Sequence, residues 1–171
     1  MQIRDERRED FANIYTLIQS AFSDKDFSSA TEGPIVDGLR QSGDLTLSLV
    51  AKRSGTLVGH IAFSPASVGE HSENIYALGP VAVDPALRSQ GIGTALIRAG
   101  LNRLRALEAR ACILVGDPNY YCRFGFIGDC GLRSGDLPQS YVQAIVWGEK
   151  LPKGEVSFAP AFSSVPNSDE V

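Results

Sequence analysis

Histidine and cysteine are scarce in this chain, with two of the first and three of the second. The cysteines, Cys112, Cys122 and Cys130, are odd in number and form no Cys-x-x-Cys pair. That points to neither a disulfide framework nor a zinc site. Reduced thiols suit a cytoplasmic location, which is the expectation here. His60 and His71 are too few for most histidine metal sites, so no metal is expected. No apolar run approaches the roughly 18 residues that a membrane helix needs. The first ten residues are charged, unlike a secretory signal. No membrane partner is therefore expected. Basic charge is also lacking: 16 Lys and Arg stand against 20 Asp and Glu, a net −4. A nucleic-acid partner needs a basic face, so none is expected.

What is present is an ordinary globular balance: 171 residues, 43% hydrophobic and 21% charged. This suits one soluble domain with a core large enough to need no staples. The expected limits are a single domain over 1–162 and a loose tail over 163–171, rich in serine, proline and acid. There is no internal repeat.

The periodicity predicts a mixed α/β chain. Gln2 to Asp5 reads as a short strand. Phe11, Ile14, Leu17, Ile18 and Phe22 recur at helical spacing, giving a helix over 8–22. A loop over 23–33 and a second helix over 33–42, with Pro34 in its first turn, follow. Alternation over 45–51 and 57–68, joined at Ser54-Gly55, predicts a hairpin. A third strand spans 75–83. The pattern then changes to a helix over about 91–108, with Thr94, Arg98, Asn102 and Arg105 on its polar side. Arg103 falls among the apolar positions and has no explanation at this level. Cys112 to Val115 reads as a buried strand. Strand, helix and buried strand form a βαβ unit, so the strands at 75–83 and 112–115 should run parallel. A helical turn near 118–122, a bend at 124–126 and a strand over about 141–148 complete the reading.

Two features carry chemistry. The first is Arg88-Ser89-Gln90-Gly91-Ile92-Gly93-Thr94, between strand and helix. A helix start leaves about four N–H groups unpartnered and carries about half a positive charge. Gly91 and Gly93 remove side chains that would keep a ligand from those amides. The loop is an anion cradle suited to a pyrophosphate, and Arg88 adds a planar fork. A helix start that binds nothing would look similar. The loop lacks the third glycine of a dinucleotide fingerprint and the Gly-Lys-Ser/Thr of a P-loop. The second feature is Gly79-Pro80 inside the central strand, where proline cannot donate to a ladder. A bulge there would splay the strand and leave Val81, Ala82 and Val83 without protein partners. A long amide-bearing ligand would satisfy them; an edge strand with a harmless bulge is the plainer account.

Val81-Ala82-Val83-Asp84-Pro85 followed by Arg88-Ser89-Gln90-Gly91-Ile92-Gly93 resembles the cofactor motif of the GNAT superfamily of N-acetyltransferases. Tyr121-Cys122-Arg123-Phe124-Gly125-Phe126, after Gly116-Asp117-Pro118-Asn119, resembles its Tyr-x-x-x-Gly-Phe element. With Ala62-Phe63-Ser64-Pro65, these pieces are similar to the YhbS-like bacterial branch. The resemblance spans roughly residues 2 to 160. It implies a GNAT fold: a mostly antiparallel twisted sheet, one parallel, splayed strand pair and flanking helices. It implies acetyl-CoA as co-substrate, lying in a V between the strands at 75–83 and 112–115. Pyrophosphate would lie on the amides of Ser89 to Thr94 and pantetheine along Val81 to Val83. Asn119 joins the implied cofactor contacts.

Acetyl transfer needs a free amine, a stabilised oxyanion and a proton for the departing thiolate. A lysine-like amine is neutral in only about one molecule in 2,500 at pH 7, so a base is required. Backbone N–H at Val81 or Ala82 could stabilise the oxyanion. Tyr121 matches the family's general acid, with a packed aromatic as its plainer role. Glu32, in the loop that lines the acceptor site in the superfamily, is the candidate base, ahead of Glu73 and His71. Each is otherwise a solvated surface residue. Cys122 has no paired histidine, so direct transfer is expected over an acyl-cysteine. The acceptor would be an amine on a small molecule or a protein. A homodimer fits the superfamily. A non-catalytic acyl-CoA sensor and a nucleotide-binding βαβ domain are the alternatives.

Overall fold

The computed structural model describes residues 1–23 and 31–163. Most of the expected loop, 24–30, and the expected tail beyond Ser163 lie outside the described residues. The chain forms two compact units. One comprises Met1–Phe63, Gly79–Gly100 and the segment from Ala159; the other comprises Ser64–Leu78 and Leu101–Phe158.

In the first unit, β1 (Gln2–Asp5) pairs antiparallel with β2 (Leu47–Arg53), and β2 with the start of β3 (Thr56–Val68). Ser54 and Gly55 turn the hairpin at positive φ, 50° and 80°, as a two-residue hairpin loop requires. Helix α1 (Phe11–Phe22) buries Ile14, Leu17, Ile18 and Ala21, the i, i+3, i+4 stripe of an amphipathic helix. That stripe packs with Val36 of α2 (Glu32–Ser42) and with Val50, Ala62 and Ala82 of the sheet. Each large side chain so buried contributes about 1.5–3 kcal/mol. Helix α2 stops at Gly43, in the left-handed region at φ 79°.

Alternation along β2 and β3 sends their other residues to the opposite face. There Ala51 faces Gly59, and the start of α3 (Ile92–Ala106) presses on them. A Cβ built on Gly59 would lie 2.8 Å from both Ile92 Cγ2 and Leu96 Cδ1. One built on Gly100 would lie 2.3 Å from the Phe63 ring. Two glycines thus let this helix settle against the strands.

In the second unit, the first residues of β4 (Ile75–Val83) pair parallel with β5 (Ala111–Val115), from Ile75↔Ala111 to Ala77↔Ile113. Antiparallel β7 (Val142–Val146) lies beside β5 along the whole of β5. The core here is Ala66, Val68, Ile75, Ala77, Ile113, Leu132, Val142, Ala144 and Val156. The main strand order is β1-β2-β3-β4-β5-β7. The fold is therefore mixed α/β: mostly antiparallel, with the parallel β4–β5 pair and flanking helices. Two strands were not anticipated: β6 (Leu132–Arg133) and β8 (Gly154–Phe158), which pair with each other, β8 also with β3. β8 does alternate, with Val156 and Phe158 toward the core and Glu155 and Ser157 exposed, but over only five residues. The first helix also starts later than predicted, because Arg8–Asp10 form a single 3-10 turn. Arg103 projects to the surface, which resolves its place among apolar positions.

Candidate cofactor site

The first unit holds Glu32, Val81 to Val83 and the loop 88–94; the second holds Asn119 and Tyr121. Strand β4 runs to Val83, six residues beyond its last parallel partner, Ala77. Gly79 takes φ 137°, where glycine is favoured, and the Gly79-Pro80 peptide is cis. Ala82 is buried against α1 and α2, while Val81 and Val83 are half-buried and point the other way. After the strand, Asp84 caps a 3-10 turn (Pro85–Leu87), its Oδ1 accepting from Ala86 N–H at 2.9 Å. Asp84 N–H in turn donates to Val58 O at 2.9 Å, fixing the loop to β3.

Ser89 and Gly91 both adopt positive φ, 62° and 81°. The Cβ direction at Gly91 opens into free space. The first helical bond of α3 runs from Ala95 N–H to Gly91 O at 3.0 Å. The amides of Ile92, Gly93 and Thr94 therefore precede the ladder and head the helix dipole. Ile92 itself is 1% exposed, and its side chain, packed over Gly59, anchors the start of the helix. A fixed row of donors backed by a glycine with no obstructing atom fits a pyrophosphate.

Two arginines near the loop have different partners. Arg88 Nη2 donates to Ala21 O in the last turn of α1 at 2.6 Å, so part of its fork is committed to protein. A cation near a helix C-terminus is favoured there. Arg53, which the sequence reading passed over, reaches the loop instead: its Nη1 donates to Gln90 Oε1 at 2.9 Å. The signal was available. The stripe Leu47, Leu49, Ala51 facing α3 has Arg53 as its next member.

Glu32 is the first residue of α2 rather than a loop residue, and is half-buried. Glu73 and His71 are exposed. In the second unit, α4 (Pro118–Tyr121) is capped by Asp117, whose Oδ1 accepts from Asn119 N–H at 2.9 Å. The Asn119 backbone is thus engaged, and its side chain is exposed. Tyr121 packs edge-on against Tyr120 and Phe126, at centroid distances of 4.9 and 6.0 Å. A Cβ on Gly116 would lie 2.6 Å from the Tyr121 ring, so Gly116 makes room for it. Gln143 Nε2 holds Gly116 O at 2.9 Å. Burial, and then the neighbouring Tyr120, push the Tyr121 phenol up to about 12. Among the described residues no group of three or more His, Cys, Asp and Glu could hold a metal ion. Nor is any helix long and apolar enough to cross a membrane.

Residues 6–126 match the model of the acetyltransferase (GNAT) family, and the chain belongs to that family. Among its relatives is an Escherichia coli K12 protein named as the uncharacterized N-acetyltransferase YhbS. The two are 37% identical over 127 residues, 74% of this chain and 73% of the relative. A Brucella melitensis GNAT acetyltransferase solved with acetyl-CoA is 44% identical, with a TM-score of 0.84 over 94% of this chain and 97% of that one. The E. coli YhbS structure, solved with CoA, is 30% identical, with a TM-score of 0.86 over 97% and 93%.

Proposed function

We propose that this chain transfers the acetyl group of acetyl-CoA directly to an amine. The observation that carries the reading is the row of α3 amides ahead of the first helical bond, behind Gly91 with its open Cβ direction. Ser89 to Thr94 would hold the pyrophosphate, and Val81 to Val83, on the part of β4 beyond its parallel pairing, would hold the pantetheine. The cofactor supplies an activated acetyl thioester. An N–H at Val81 or Ala82 stabilises negative charge on the acetyl oxygen. Glu32 accepts the amine's proton, directly or through water.

Tyr121 is held protonated across the working pH range by its burial. With the phenol at about 12 and a thiol near 8.5, full proton transfer to sulfur would cost about 5 kcal/mol. Tyr121 thus serves as a hydrogen-bond donor to the leaving sulfur, not as a full acid. Nothing in the fold or in the relatives favours a non-catalytic sensor.

The experiment is a screen of small amines and peptide amines with acetyl-CoA, reading thiol release and acetylated product. Thiol release with at least one acceptor is expected. Thermal stabilisation by ATP or NAD but not by CoA would overturn the reading.

A further inference from the structure

We infer that Arg53 reads the 3′-phosphate of CoA, so that the site discriminates CoA from its 3′-dephospho form. This rests on the cofactor reading above. Two other arginines of the first unit, Arg4 and Arg40, are answered by carboxylates. Arg4 bonds Asp10 at 2.7 and 3.1 Å. Arg40 bonds Glu6 at 2.9 and 3.0 Å and Asp37 at 2.7 Å. Arg53 differs. Among the described residues no carboxylate lies within 4 Å of its guanidinium, and one N–H goes to the neutral side-chain oxygen of Gln90. On a chain of net charge −4, this cation is left unneutralised at the edge of an anion loop.

A guanidinium offers five N–H donors in a fork that matches phosphate oxygens. One is spent on Gln90, so the group is tethered and its remaining donors are aimed by that tether. The amides of Ile92, Gly93 and Thr94 already serve the pyrophosphate. Arg53 stands outside that row, reached through the exposed Gln90 side chain just before Gly91. The phosphate left over on CoA is the 3′-phosphate.

Calorimetric titration of the whole chain with CoA and with 3′-dephospho-CoA tests this. Wild type is expected to bind CoA about tenfold tighter, the scale of one charge-assisted contact. Arg53→Gln should erase that preference and leave dephospho-CoA affinity within about twofold. Gln90→Ala, which removes the tether and keeps the charge, should reduce the preference without abolishing it. A wild type without preference, an Arg53→Gln variant that keeps it, or equal weakening toward both ligands would overturn the inference. Wild type binding neither ligand would instead overturn the cofactor reading beneath it.

Discussion

Tyr121 and Gly91 are single positions on which the proposed chemistry turns, and each is open to a separate test. Tyr121→Phe removes the hydroxyl and keeps the ring between Tyr120 and Phe126. Turnover with an acceptor from the screen should fall about 10- to 100-fold, the size of one positioned donor. CoA affinity by calorimetry should stay within about twofold. Because the phenol sits at about 12, the wild-type rate should show no loss from its ionisation below about pH 10. A basic-limb fall that vanishes in Tyr121→Phe would refute that assignment. Gly91→Glu puts a side chain at φ 81° and a negative charge where an anion should lie. CoA binding should be lost while the circular dichroism spectrum is kept; unchanged affinity in a folded variant would remove the site.

Helix α3 is the element that presents the loop, and it is set by residues far from it in sequence. Gly59→Val would place methyl groups where Ile92 and Leu96 already come within 2.8 Å of a bare Cβ. Such overpacking costs about 1–3 kcal/mol. Chemical denaturation should show that loss, and CoA affinity should drop with it, since the amide row moves with Ile92. Intact CoA affinity in the destabilised variant would show that the row does not depend on this seat. Element by element, the sequence was most readable where one period ran long. Strand β4 and helix α3 were placed to within two residues, α3 because Ile92, Leu96, Leu101 and Leu104 keep to one face. It was least readable in the shortest stretches, as in β6 with two residues and β8 with five. The loop was legible from Gly91, whose φ of 81° favours glycine, whereas Gly93 lies within α3. The partners of Arg88 and Arg53 were not legible. Arg88 adjoins the loop in sequence but is drawn to a helix-end carbonyl. Arg53 is distant in sequence but ends the stripe that faces α3.

At the scale of the molecule, charge burial shapes the response to acid. His60 is fully buried, its Nε2 2.8 Å from Ser48 Oγ, which also bonds Glu6 at 2.6 Å. Burial holds His60 down at about 4, from an ordinary 6.5. A histidine kept neutral by the fold favours the folded state above pH 6.5 and loses that advantage as pH falls toward 4. The slope is about 1.4 kcal/mol per pH unit, or about 3 kcal/mol in all. Asp10, held at about 2 by the Arg4 side chain, adds a separate loss only below its ordinary 3.8. Thermal melts of wild type and His60→Gln between pH 7 and 4 should differ in slope, the variant being flatter. Parallel curves would acquit His60.

The two compact units are interleaved along the chain, which passes from one to the other after Phe63, Leu78, Gly100 and Phe158. No single cut in the polypeptide therefore yields either one whole. Truncated forms should not retain half the molecule as a stable piece, and a protease nick within either unit should leave two fragments that persist only while associated. Anyone wishing to halve this enzyme, for a split reporter or a minimal cofactor binder, would first have to rewire the order of its segments.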